Sequence, residues 1–244
     1  MSFSGLAVQA SANRFSAAAA VTVRFRAESS PRAQNGGGEP TQLAALGAVC
    51  SFSRNETIFD EGEEVTALYK IASGVVRLCR VTEDGRRQIA GFRFPGDIIG
   101  VDWAGQSELT AEAASDVTAI RFARSRVERL TSDDVAVRDH ILAHIRHDLQ
   151  SAHEHLLTLG CQSAAERVAS FLLQLIRRAS VGEGETLDMQ LDRQDIADYL
   201  GLTLETVSRT FSEFQSRAII ALPQRRHVRI LSLAKLRSQA LRVN

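Results

Sequence analysis

Apolar residues recur along this chain with different periods, and each period marks a different kind of element. Between Asp133 and Leu159, the residues Leu142, Ile145, Leu149, Ala152, Leu156 and Leu159 fall at alternating three- and four-residue intervals. That spacing is the seam of a two-stranded coiled coil, so one long helix paired with the same helix of a second chain is expected here. Ala164 to Arg178 reads as an amphipathic helix with Val168, Phe171, Leu172 and Leu175 inward. Between Leu191 and Phe214 two shorter stripes are divided by Gly201: Ile196, Ala197 and Leu200, then Val207, Phe211 and Phe214. Asp192 and Thr203 stand where a side-chain oxygen caps the open amides of a first turn. Two short capped helices about a glycine turn predict a helix-turn-helix, a motif whose second helix enters a DNA major groove. Downstream, β-like runs at 218–221 and 228–231 flank PQRRH and predict a hairpin wing, followed by a last helix from Ser232 to about Leu241.

In the preceding stretch, from about Thr41 to Ser132, the texture changes to short β-type runs broken by glycine. Gly62, Gly74, Gly85 and Gly96 lie 12, 11 and 11 residues apart and separate the runs ALYKIAS, VVRLCRV and RQIAGFRF. With Asp84-Gly85 as a hairpin signal, this regular strand-and-turn spacing predicts a small sandwich or barrel. The first forty residues are Ala- and Ser-rich, end in PRAQNGGGEP and keep no period, as expected of a flexible tail. Nothing acidic precedes Glu28 while Arg14, Arg24 and Arg26 do, which is also the composition of a transit peptide. A start codon placed too far upstream is a further reading of these residues. The expected organisation is α+β: a tail (1–40), a β-roll (41–132), a dimerisation helix (133–159) and a winged helix-turn-helix (160–244).

Composition changes this picture little. With 44% apolar and 24% charged residues the chain has the make-up of a soluble protein, and no apolar run approaches the ~20 residues of a membrane helix. No membrane partner is expected. Three scattered cysteines are too few for a disulfide framework and suit a reducing cytoplasm. The formal net charge is zero, but it is unevenly spread: twelve basic against nine acidic residues from Gly160 onward, and seventeen against twenty before it. That asymmetry agrees with a DNA-binding C-terminal part. All basic residues except Lys70 and Lys235 are arginines.

On the helix opened by Thr203, Glu205, Ser208, Arg209 and Ser212 lie at i, i+3, i+4 and i+7, one polar row opposite the inward stripe. Arginine donates two parallel hydrogen bonds to guanine, glutamate accepts from the cytosine amino group, and serine suits several base edges. GLTLETVSR at 201–209 resembles the recognition helix of the cyclic AMP receptor/FNR regulators, particularly their FixK-like branch, with its Glu-x-x-Ser-Arg pattern at Glu205, Ser208 and Arg209. FDEGEEVTALYKIASGVVRL (59–78) and GFRFPGDIIG (91–100) resemble the β-roll of the same family. The resemblance covers about residues 41–240. It implies a homodimeric transcription regulator, an activator working with RNA polymerase on a palindrome like TTGAT, four bases, ATCAA. Glu205, Ser208 and Arg209 would read bases, and Thr203, Ser212, Arg225 and Arg226 would meet phosphates.

Family members that bind cyclic nucleotides carry a Glu after the turn glycine and an Arg for the phosphate. Here Val101 takes the first position, with Asp102 beside it, and 106–114 contains no Arg, so a phosphate would go uncompensated. An iron-sulfur cluster needs four thiolates, whereas this chain has Cys50, Cys79 and Cys161, no two closer than 29 residues. No cofactor is therefore expected. Loss of both sensors is the FixK-like condition, in which the regulator is governed mainly by its own synthesis. The alternative is a roll gated by haem or another small effector, sensing redox state or nitric oxide. Cys161, at the junction of dimer helix and DNA-binding part, is a candidate redox thiol beside the plainer reading of a small packing residue. Five histidines, at 140, 144, 147, 153 and 155, fall in the long helix; His140 and His144 share a face, but nothing completes a metal site, and a solvent-facing position is expected for them. A cupin-like enzyme would need ligands or a nucleophile-base pair in 41–132, a stretch that contains no histidine.

Overall fold

The computed structural model describes residues 22–25, 47–101 and 105–240. Eight strands form the roll: β2 (Ala48–Phe52), β3 (Thr57–Phe59), β4 (Ala67–Ser73), β5 (Val76–Val81), β6 (Arg87–Arg93), β7 (Ile98–Ile99), β8 (Thr110–Ala113) and β9 (Val117–Ala123). They pair antiparallel in two sheets, ordered β2-β9-β4-β7 and β3-β8-β5-β6. Ile71, Val76, Ile99, Ala111, Ala113 and Ala119 are buried between them. The periodic glycines are turns: Gly62, Gly74, Gly85 and Gly96 have φ of +82°, +84°, +79° and +93°. At Gly74 a Cβ would lie 2.2 Å from the Asp116 carbonyl oxygen, so glycine is required twice over, for φ and for the close approach.

Helices follow the roll sooner than the sequence suggested. α1 (Arg124–Asp133) occupies the end of the stretch read as roll, with Val127 buried. Asp134 ends it and starts α2 (Val135–Cys161), its carboxylate accepting from the amides of Ala136 at 2.8 Å and Val137 at 3.4 Å. α2 runs past its expected end at Leu159, through Gly160, and ends at Cys161. Its first half lies on the roll: Ile141 is buried with Leu68, Ile98, Phe122 and Val127, and Ile145 packs against them. Leu142, Leu149, Ala152 and Leu156 of the expected seam are exposed, while Ile145 and Leu159 are half-buried against their own chain. The histidines depart from expectation: only His153 is exposed, His144 is buried, His140 and His147 are half-buried, and half-buried His155 stacks on Tyr199 at 3.9 Å.

The C-terminal unit comprises α3 (Ala164–Ala179), β10 (Thr186–Asp188), α4 (Arg193–Leu200), α5 (Leu204–Ser216), β11 (Ile220–Gln224), β12 (His227–Ile230) and α6 (Leu233–Ala240). β1 (Thr22–Val23) adds a parallel strand to β10, giving the order β1-β10-β12-β11. The flexible tail is thus corrected at residues 22–25; the rest of it, Asp102 and the expected end of the last helix at Leu241 lie outside the described residues. This unit is not separate from the roll. Phe92 of β6 lies 6.1 Å from Phe171 and 5.1 Å from Tyr199, and Phe25 lies 4.5 Å from Phe94, so one apolar cluster joins the two.

Candidate nucleic-acid interface

α4 and α5 are built by local chemistry. Asp192 and Asp195 form a reciprocal capping box at the start of α4. Gly201, at φ +61°, closes it in the left-handed conformation that favours glycine. The Thr203 hydroxyl oxygen then accepts from the Thr206 amide at 3.2 Å and caps α5. Val207, Phe211 and Phe214 are buried to within 1% of complete exclusion from water. That fixes which way the opposite face looks, and Glu205, Ser208, Arg209 and Ser212 are all exposed on it. The Ser212 hydroxyl donates to the Ser208 carbonyl at 3.0 Å, so its lone pairs and not its proton face outward. The Glu205 carboxyl sits below its ordinary pKa because its own backbone amide, and then the Thr203 hydroxyl, hydrogen-bond to it. It is therefore a charged acceptor at neutral pH. Leu204, the first residue of α5, is 40% exposed, a feature the polar-row argument missed. Its signal in the sequence is an apolar residue lying off the inward stripe.

The wing is the β11–β12 hairpin. Arg225 at its tip is exposed, whereas Arg226 is half-buried and its Nε donates to Asp192 at 3.0 Å. The two arginines expected to meet phosphates together are thus held differently. Burial alone would raise the Asp192 pKa; the hydrogen bond from Arg226 and the charges of Arg54, Arg226 and Arg225 outweigh it and hold the carboxyl below its ordinary value. Arg193, the first residue of α4, lies 3.5 Å above the Phe211 ring, and burial, then the Arg225 charge, draws its pKa down to about 10. It stays cationic at neutral pH beside the wing tip.

Two other expectations concern the roll and the junction. A cavity of about 490 Å³ lies between the roll and α2, lined by Ile98, Ile99, Val101, Leu109, Ile145 and Leu149 among others. Its lining arginine, Arg93, is 3.4 Å from Asp148. Cys161 is exposed in the single chain, at the end of α2. Among the described residues no group of three or more candidate ligands could hold a metal ion, and no helix is long and apolar enough to cross a membrane.

Comparison with known proteins agrees with this geometry. Residues 166–239 match the Crp-like helix-turn-helix domain and residues 49–134 the cyclic nucleotide-binding domain. The chain is 40% identical over 202 residues to the nitrogen fixation regulation protein FixK of Azorhizobium caulinodans, covering 81% of this chain and 82% of that protein. It is likewise 40% identical over 186 residues to FixK of Bradyrhizobium diazoefficiens, covering 75% and 78%. The solved structure of FixK2 from Bradyrhizobium japonicum superposes with a TM-score of 0.77 at 34% identity, covering 82% of this chain and all of that one. An exposed polar row on a capped, glycine-turned helix pair and these likenesses lead to one conclusion: the chain is a DNA-binding transcription regulator of the cyclic AMP receptor/FNR family, on its FixK-like branch.

Proposed function

We propose that the protein is a cytoplasmic homodimeric activator. It binds a palindrome like TTGAT, four bases, ATCAA, at genes of low-oxygen or nitrogen metabolism and engages RNA polymerase there. The observation that carries the proposal is the exposed row Glu205, Ser208 and Arg209 on α5. Arg209 is positioned to read guanine through O6 and N7, Glu205 the paired cytosine amino group, and Ser208 a neighbouring thymine. Leu204 adds an apolar surface suited to a thymine methyl. Thr203, Ser212, Arg225 and Arg226 serve as the phosphate contacts, with Arg226 having to leave or share Asp192 to do so. Leu149 and Leu156, 56% and 65% exposed, support pairing of two α2 helices, because a coiled-coil seam is otherwise left in water. The relatives named as nitrogen fixation regulators support the choice of target genes.

The test is DNA binding by Arg209→Ala. It is expected to cost ~1–3 kcal/mol on the palindrome and to relax the choice at the G·C pair. Undiminished discrimination at that pair refutes the placement of α5.

A second reading, gating by a small effector, is favoured by the 490 Å³ cavity and its apolar lining. The residues lining it include no His or Cys to bind a haem iron, so an apolar organic effector suits it better. A haem absorbance band in freshly purified protein would overturn that preference.

A further inference from the structure

The helix-turn-helix is clamped to its own roll by charge as well as by apolar packing. Asp192, Asp195 and Asp198 lie at three-residue steps at the start of and along α4, and three arginines from the roll meet them. Arg87 of β6 places Nη2 2.8 Å from Asp195 and Nε 2.8 Å from Asp198. Arg77 of β5 places Nη1 3.3 Å from Asp195. Arg54, in the turn after β2, reaches Asp192 at 2.5 Å. Arg77 is also held from inside the roll, its Nη2 2.7 Å from Glu112 and 3.1 Å from Asn55 and its Nε donating to Glu112 at 2.8 Å. Asp195 and Arg77 are 2% and 5% exposed, so their charges are complementary only in one relative position of the two units. Arg178 of α3 pairs with Asp97 of the roll some distance from the clasp in sequence, adding a second point of attachment.

We infer that this clasp fixes the direction of each recognition helix relative to the dimer axis, and so sets the half-site spacing that the dimer accepts. The inference rests on the homodimer and palindrome proposed above. Two α2 helices joined along their seam hold the two rolls at a fixed separation. If each C-terminal unit could swivel about the non-helical pair Gln162 and Ser163, it would follow half-sites at several separations. A clamped unit does not, because each added base pair carries the far half-site ~3.4 Å along the duplex and ~35° around it. Arg77 and Arg87 act through α4 and are positioning residues.

The test titrates the full chain and Arg87→Gln against duplexes with half-sites separated by four, five and six base pairs at one salt concentration. The wild type is expected to prefer the four-base-pair operator over the six by at least ~10-fold, and Arg87→Gln to reduce that ratio below ~3-fold. Arg87→Lys, which keeps the charge, is expected to restore part of the ratio. A common factor of loss on all three operators with the ratio unchanged means that the arginine only stabilises the fold, and the proposal is overturned. Arg54→Gln carries the same expectation at a pair 22% and 27% exposed, and decides the matter if Arg87→Gln does not fold. A wild type that keeps its sequence preference but accepts all three spacings equally refutes the clasp alone. A wild type that binds scrambled duplexes as tightly as palindromes refutes the proposed function as well.

Discussion

Arg167 joins three helices, and its removal is the most informative single perturbation of the domain junction. From α3 it donates through Nη2 to the Leu159 carbonyl at 2.7 Å, through Nε to Gln162 at 2.9 Å and through Nη1 to Leu200 at 3.0 Å. Leu159 lies in the last turn of α2, Gln162 caps that helix and Leu200 ends α4, so one guanidinium satisfies carbonyls that helix geometry leaves open. Leu200 is 1% exposed, and water would reach its carbonyl poorly in a truncated variant. That orphaned acceptor costs ~1–3 kcal/mol, and each of the two more accessible carbonyls adds ~0.5–1 kcal/mol. Arg167→Ala is therefore expected to lose ~2–5 kcal/mol, read by urea titration of far-UV circular dichroism and matched by a melting point roughly 4–20 °C lower. Arg167→Lys has one ammonium to offer and should recover less than half. The Arg167 charge also helps to depress the pKa of His155, whose NMR titration should move up in Arg167→Ala and less in Arg167→Lys, which keeps a positive charge. A loss below ~0.5 kcal/mol for Arg167→Ala would refute the claim that the residue ties the junction.

Three further outcomes are expected. Arg225→Ala should weaken binding to all DNA sequences alike and flatten its dependence on salt, if this exposed wing arginine is the phosphate contact proposed above; a change confined to the palindrome would count against that. Burial, then the Arg167 charge, lowers the pKa of His155 in the folded protein from 6.5, so as pH falls the unfolded chain takes up this proton first. Stability should therefore be complete above about pH 6.5 and fall as pH drops through the folded value, whereas His155→Phe, which keeps a ring on Tyr199, should remove that part of the loss. Equal acid sensitivity of the two proteins in urea titrations would contradict it. Leu149→Asp with Leu156→Asp should yield monomers by sedimentation without lowering the melting point of the roll; an unchanged mass would rule out the α2 seam.

What the sequence determined by itself is what neighbouring residues decide among themselves. Capping by Asp192 and Thr203 acts within three residues, Gly201 ends a helix by its own φ, and the spacing of Val207, Phe211 and Phe214 forces Glu205, Ser208 and Arg209 outward. The turn glycines of the roll are local in the same sense, and the strands between them were readable from β-type runs. α1 was not, because Val127 and Leu130 are too sparse a stripe to stand out over ten residues. Nor was the end of α2, because a glycine inside a helix costs only ~1 kcal/mol and Gly160 does not stop it.

Only the tertiary structure decided which charges meet. Arg77 and Asp195 are 118 residues apart, and nothing in the local pattern of either distinguishes it from an exposed charge. The same holds for Arg226, drawn onto Asp192, for His155, set against Tyr199, and for Thr22–Val23, a two-residue strand that exists only because β10 has an open edge. Periodicity reports which face of an element is apolar, but the partner of that face, and the ion pairs formed at its rim, follow from chain closure between residues far apart in sequence, for which no short-range signal exists.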